Sequence, residues 1–188
     1  GVKTTDEFIR LAKSKPGQFS YGSSGVGTAL HLAGEMVKEQ SGLFMTHIPY
    51  RGVAPLTNDL LGNNIEFGVF VLSSGLPHIR AGKVVALGTT EKKRSQVTPD
   101  IPALAEHPAL KNTDISSWFV LMGPGKLPEP VVAKLKKALA EALQAPDLRK
   151  KLEASGSSIA PLNVDMARFL RDETAKYQKI VDFAKIRE

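Results

Sequence analysis

Residues 18–37 read QFSYGSSGVGTALHLAGEMV, and this stretch decides the fold. Gln18 to Tyr21 alternates in the manner of a β-strand, with Phe19 and Tyr21 on one face. Gly22, Ser23, Ser24, Gly25 and Gly27 follow, and only Val26 breaks the run of small residues. Thr28 then opens a helix whose apolar positions, Ala29, Leu32, Ala33, Met36 and Val37, form a stripe of period 3.6.

A glycine-serine loop at a helix start leaves main-chain N–H groups without an intrahelical partner. The helix dipole adds partial positive charge there, glycines let a ligand approach the backbone, and hydroxyls supply adaptable hydrogen bonds. Two readings fit. One is a seat for a carboxylate, phosphate or sulfate; the other is a flexible strand-to-helix turn with a good N-cap. Three sharper readings fail on spacing. A nucleophile elbow built on Ser24 would need glycine where Val26 stands. A dinucleotide fingerprint starting at Gly25 meets Leu30 where its third glycine belongs, and a nucleotide P-loop needs a Gly-Lys-Ser/Thr string that is missing.

The 188 residues suffice for one domain or somewhat more, and an apolar share of 42% is ample for a core. Aromatic residues, at 6%, are too sparse for a base-stacking surface. The net charge of +6 comes from basic residues mixed with acids along helices, as in KLKKALAEAL. A nucleic-acid stripe would be more clustered, so nucleic acid is not an expected partner; the bias favours acidic ligands or an anionic surface. The absence of cysteine excludes disulfides, thiol catalysis and Cys-based metal sites. No apolar run approaches the ~20 residues of a membrane span. The start at Gly1, without Met or signal peptide, suggests a processed protein or a fragment.

Read in order, Thr4 and Glu7 make a capping box for a helix to Ser14, stopped by Pro16-Gly17. After the opening stretch come a strand over 43–48, a helix ending at Gly62, and residues 65–72 (IEFGVFVL), the strongest strand signal in the chain. A helical turn capped by Ser73-Ser74 leads to a strand over 83–88, a short helix near 103–106, and a strand over 115–122 carrying Trp118, which reads as core. The alternation predicts an α/β lobe over residues 1–122 with a mainly parallel sheet flanked by helices. Gly123-Pro124-Gly125 marks a boundary. Residues 123–188 read as helices over 128–143 and 147–154, a brief strand at 158–160, and a long helix capped by Asn163. Their apolar stripes must be buried on something.

Several strings together go further: KPGQFSYGSSGVGTALHLAGE, HIPYRGVAPLTNDLLGN, LPHIRAGKVVALGTTEKKRS, PDIPALAEHP and SSWFVLMGPGKLP. In that order they resemble the periplasmic solute-binding receptors of tripartite tricarboxylate transporters, the Bug family, across essentially the whole chain. The resemblance implies a two-lobed Venus-flytrap fold, a small carboxylate bound in the cleft, delivery to membrane permease subunits, a periplasmic address and no catalysis. Matched by motif, Ser23, Ser24, Gly25, Val26, Gly27 and Thr28 would seat a ligand carboxylate, and Tyr50, Arg51 and Gly52 would form a second loop at the cleft. Arg51 suits a carboxylate clamp and equally a surface position at a helix start.

The resemblance also implies an N-terminal part of the first lobe that this chain does not carry, with residues 123–188 completing that lobe. Those helices then have three outcomes: repacking on residues 1–122, a domain swap or homodimer with a second chain, or exposure. The fragment alone is expected to bind ligand weakly or not at all. Phe70 falls near a position that is polar or acidic in many members.

No cofactor or metal pattern is present. His31, His47, His78 and His107 form no HExxH and no tight ligand spacing, and a lone His is more often structural. Asp59, Glu66, Asp100, Glu106 and Asp114 show no pairing for acid-base work. The basic string 92–94 reads as a solvated loop or a contact for a membrane partner. Two other functions compete with the receptor. An effector-sensing lobe of a transcription regulator shares the architecture and would need an upstream helix-turn-helix. A hydrolase using Ser23 or Ser24 would need a His base within hydrogen-bond reach.

Overall fold

A computed structural model describes residues 1–186. At its centre is a three-stranded parallel sheet in the order β2-β1-β3, with β1 at Ser20–Ser23, β2 at Thr46–Pro49 and β3 at Phe67–Gly68. Tyr21 stands opposite His47 on one side and Phe67 on the other. The fold is α/β with helices flanking this sheet: α1 (Thr5–Ser14), α2 (Ala29–Ser41), α3 (Val53–Leu61) and α4 (Leu72–Arg80). The C-terminal part adds α5 (Glu129–Gln144), α6 (Pro146–Ala154) and α7 (Met166–Ala184).

Local chemistry sets the helix ends. Glu7 N–H donates to the Thr4 hydroxyl and Thr4 N–H donates to the Glu7 carboxylate, both at 3.2 Å, which closes the capping box of α1. Thr28 caps α2, and Gly42, left-handed at φ 65°, terminates it. Phe8, Ile9 and Ala12 of α1 pack with Tyr21, Leu43, Met45, Leu104 and Leu110 in the main core. Leu56 of α3 is fully buried, and a Cβ placed on Gly22 would stand 2.2 Å from it. On α2, Gly34 lies under the Tyr21 ring. The opposite stripe of α2 receives the last helix: Leu32, Ala33 and Met36 cluster with Ile115 and with Ile180 of α7.

Several expected elements differ. Of residues 65–72 only Phe67–Gly68 pairs, because Leu72 already begins α4. Residues 83–88 form no ladder; Leu87 packs on the main core and its carbonyl accepts from the Thr5 hydroxyl, with one parallel bridge just beyond, between Thr89 and Ala103. Residues 115–122 are not a strand: Ile115 is tied to Thr90 by two hydrogen bonds, but Phe119 is 88% exposed and Leu121 and Met122 are exposed as well. A strand needs a neighbour for its N–H and C=O groups, and among the described residues no strand lies beside 116–122. The brief strand at 158–160 is absent from the described residues, α4 is entered through Val71 without a serine cap, and Asp165 rather than Asn163 caps α7 by accepting from Arg168 N–H at 3.0 Å.

The C-terminal helices divide between two of the expected outcomes. α7 docks on α2, and Trp118 is half-buried over it, donating to Glu173 at 3.0 Å and standing edge-on to Phe169. α5 and α6 bury no residue, and Val131, Leu135 and Leu139 keep an exposed apolar face.

Two substitutions report on this packing. Gly34→Ala would force a Cβ to 2.2 Å from the Tyr21 ring, a strain worth ~1–3 kcal/mol, and Leu56→Ala would cost ~2–5 kcal/mol through its cavity. Urea unfolding should show both as lower midpoints with little change in slope; an unchanged midpoint for Gly34→Ala would mean that α2 is not seated on β1 in this way.

Candidate functional site

The two loops singled out in the sequence meet in the structure. Both leave the C-terminal ends of adjacent parallel strands, where open α/β sheets hold their ligands. Tyr50 N–H donates to the Ser23 carbonyl at 2.9 Å and Gly52 N–H to the Ser24 carbonyl at 3.3 Å, so residues 50–52 are stitched to residues 23–24. The end of β3 joins them through Val69 N–H to the Gly22 carbonyl at 2.9 Å, which brings Phe70 to the same end of the sheet. Tyr50 is anchored from below, its hydroxyl donating to Asp59 at 2.8 Å.

Within the first loop the hydrogen bonds close on themselves. The Thr28 hydroxyl donates to the Gly25 carbonyl at 2.8 Å and accepts His31 N–H at 3.3 Å. Gly27 N–H donates to His31 Nδ1 at 3.1 Å, and Gly25 N–H donates to Ser23 Oγ at 3.3 Å. Gly25 at φ 139° and Gly27 at φ 74° adopt backbone that a side chain would strain. After these bonds, the N–H groups of Val26, Ala29 and Leu30 find no acceptor among the described residues. They are orphan donors at the positive end of α2. Val26 is 58% exposed and Gly27 is exposed, so the loop is an open wall. Two surface depressions, of about 230 Å³ beside Leu143, Arg149 and Leu162 and about 440 Å³ beside Leu170 and Gln178, include none of its residues.

The nine candidate residues differ in access. Ser24, Gly25, Val26, Gly27 and Thr28 lie at the surface or half-buried, as do Tyr50, Arg51 and Gly52. Arg51 is exposed and joins none of the ion pairs formed by the described residues. Ser23 is different: it has no exposed surface and lies beneath the loop.

Beneath the loop is a network with no motif to announce it. Ser23 Oγ is 2.7 Å from His47 Nε2. The His47 ring stacks on His31, centroids 3.9 Å apart and planes 10° apart, and on Tyr21 at 4.9 Å. The Tyr21 hydroxyl donates to Glu35 at 2.6 Å, and Lys38 Nζ bonds both Glu35 oxygens at 2.8 and 2.9 Å. Burial opposes ionisation of Glu35, but the bonds from Lys38 and Tyr21 outweigh it and hold the carboxyl below its usual range. Burial, then the His31 ring, pushes His47 down to about 4; burial also lowers His31, with Glu35 opposing and Lys38 assisting. Of these pairings, the helical spacings of His31 with Glu35 (i, i+4) and Glu35 with Lys38 (i, i+3) could have been read from the sequence; His47 arrives from another strand.

The Ser23–His47 contact has the spacing a serine nucleophile needs. Its surroundings do not suit that role. Ser23 is shut off from solvent, its oxygen is occupied by Gly25, and among the described residues no carboxylate bonds the other His47 nitrogen.

Comparison with known proteins gives a consistent set. The tripartite tricarboxylate transporter family receptor (TctC) family matches residues 1–186. A UPF0065 protein of Bordetella pertussis is 34% identical over 176 residues, covering 93% of this chain and 54% of the relative. Protein BugT of the same organism is 28% identical, covering 96% and 55%. The chain thus spans about half the length of these curated relatives. Among solved structures, an R. palustris protein with adipate superposes with a TM-score of 0.87 at 28% identity, covering 98% of this chain and 62% of that one. MatC from Rhodopseudomonas palustris with bound malate gives 0.82 at 25%, covering 95% and 62%.

The histidine pair makes stability depend on pH. An unfolded imidazole titrates near 6.5, and folded His47 near 4. Between these values the unfolded chain binds more protons, so the stability is fully present above pH 6.5 and is lost as pH falls towards 4. Thermal melts from pH 7 to pH 4 should show a falling midpoint, and His47→Gln should flatten that slope; an equal slope in the variant would remove His47 as its source.

Proposed function

The chain belongs to the tripartite tricarboxylate transporter receptor family, and on that premise we propose that it is the carboxylate-seating part of a solute receptor. The observation that carries this reading is the trio of orphan donors at the start of α2, the N–H groups of exposed Val26, half-buried Ala29 and Leu30, whose residue is otherwise buried. Carboxylate oxygens accept such donors and gain from the helix dipole. The hydroxyls of Ser24 and Thr28 flank them, with Gly25 and Gly27 keeping the approach open and buried Ser23 bracing the loop from below. Arg51, uncommitted and on the stitched neighbouring loop, is suited to a second, bidentate contact; Tyr50 and Gly52 hold that loop in place. The structural neighbours bound to adipate and malate support a dicarboxylate as the ligand class.

Binding of this kind changes no covalent bond, and the protein is read as a carrier that hands its ligand to the permease subunits of a transporter. A periplasmic address follows from the same reading. No helix of the described residues is long and apolar enough to cross a membrane. Residues 1–122 supply the ligand wall and residues 123–188 the part that completes the opposite lobe; the exposed apolar face of α5 supports that division. With one wall alone, affinity is expected to be weak.

Amide NMR titration of the 188-residue chain with adipate and with malate tests the assignment. Saturable shifts should centre on Val26, Ala29 and Leu30 and extend to Arg51, while the uncharged diamide of adipate leaves them unmoved. Shifts that map elsewhere, or equal shifts with the diamide, would refute it. Thr28→Ala removes the cap of α2 and should cost ~0.5–2 kcal/mol of stability, read as a lower melting temperature, and should weaken the adipate shifts.

A further inference from the structure

His31 is buried, yet it touches the ligand loop twice: its N–H donates to the Thr28 hydroxyl and its Nδ1 accepts Gly27 N–H. Gly27 is the one glycine of the loop whose amide is taken up by a side chain outside it. An imidazole nitrogen can accept only without a proton, so the contact requires a neutral ring carrying its hydrogen on Nε2. The surroundings favour that tautomer. Nε2 faces Glu35 Oε1 at 3.9 Å, and the ring is stacked on His47, so two protonated rings would lie 3.9 Å apart.

We propose that His31 is a positioning residue for the anion seat: its neutral ring holds the Gly27 amide, and so selects Val26, Ala29 and Leu30 as the donors that meet a carboxylate. The proposal rests on the receptor reading. It adds a division of labour inside the loop. Gly27 supplies curvature and is held from below, so it does not meet the ligand. The same bond makes the loop proton-sensitive. A proton on Nδ1 would set two donors against each other, Gly27 N–H and the ring N–H, and the loop would have to open. The groups against the ring are Glu35 from α2 and His47 from β2; Lys38 from α2 and Tyr21 from β1 act on it through Glu35, which both of them bond. Their chemistry keeps the ring neutral at neutral pH, with burial the leading cause and Lys38 assisting against Glu35.

The test needs no ligand for its first arm. Ring nitrogen shifts of His31 in the 188-residue chain should show an unprotonated Nδ1 and a protonated Nε2 at pH 7. Gly27 amide exchange should accelerate about fivefold in His31→Phe, the loss of one ordinary hydrogen bond. His31→Asn, whose side-chain oxygen stands where Nδ1 did, should restore protection, whereas His31→Gln should not. Gly27 protection in the wild type should fall in acid and stay flat with pH in His31→Asn. A protonated Nδ1 at pH 7, or unchanged Gly27 exchange in His31→Phe, would overturn the proposal. The second arm is the adipate titration. Wild type and His31→Asn should share the shift pattern at Val26, Ala29 and Leu30, with Gly27 moving little, while His31→Phe spreads the shifts to Gly27. A dominant direct Gly27 shift in the wild type would overturn the proposal. Failure of the receptor reading looks different: no saturable shift at all, with the tautomer and the Gly27 protection intact.

Discussion

A carboxylate inside the protein must be paired, and the pairing of Glu35 sets how α2 lies on the sheet. Lys38 from the same helix holds both oxygens, and Tyr21 from β1 donates a short hydrogen bond. The Tyr21 bond is the one that crosses between elements. It fixes the helix against the strand in rotation and in register, since an uncompensated charge would be left in the interior if the helix turned. Gly34, one residue before Glu35, lets the Tyr21 ring lie against the helix backbone. Lys38 also stands over that ring at 5.7 Å.

The site inherits its geometry from this anchor. With α2 fixed, its first turn is fixed, and the loop between β1 and α2 must close a set gap. Histidines then fill the wedge beneath: His47 from β2 bonds Ser23, and His31 from α2 bonds Gly27. The loop is therefore held on its inner side by side chains, while the amides of Val26, Ala29 and Leu30 stay unpaired. A loop held in this way is preorganised, so little ordering would be left to oppose binding of an anion at its free amides.

The C-terminal half follows a different constraint. α7 finds a place because the free stripe of α2 offers Leu32, Ala33 and Met36 to Ile180. α5 and α6 bury no residue, and Phe119, Leu121 and Met122 before them and Val131, Leu135 and Leu139 on α5 stay exposed. The chain spans about half the length of the Bordetella pertussis relatives it matches.

The helices, the Thr4–Glu7 capping box and Thr28 at the start of α2 were legible in the sequence because their bonds join residues three or four apart. The starts of α4 and α7 were not: Val71 and Asp165 stand where Ser73-Ser74 and Asn163 were expected. The α/β class followed from the alternation of strand and helix; that residues 50–52 form a loop beside residues 23–28 was implied by the family resemblance, and the parallel pairing of β1 with β2 brings the two loops to one end of the sheet. The strands themselves were only partly legible. Residues 65–72, 83–88 and 115–122 all have β-like composition, but a strand exists only where another chain segment supplies its hydrogen bonds, and here the ladder ends after Phe67–Gly68 on one side. The same distance in sequence hid the histidine pair: 16 positions separate His31 from His47, and only the sheet register and the seating of α2 bring their rings to 3.9 Å. What residues a few positions apart can settle, the sequence determined; what needs two distant segments in contact, tertiary structure decided.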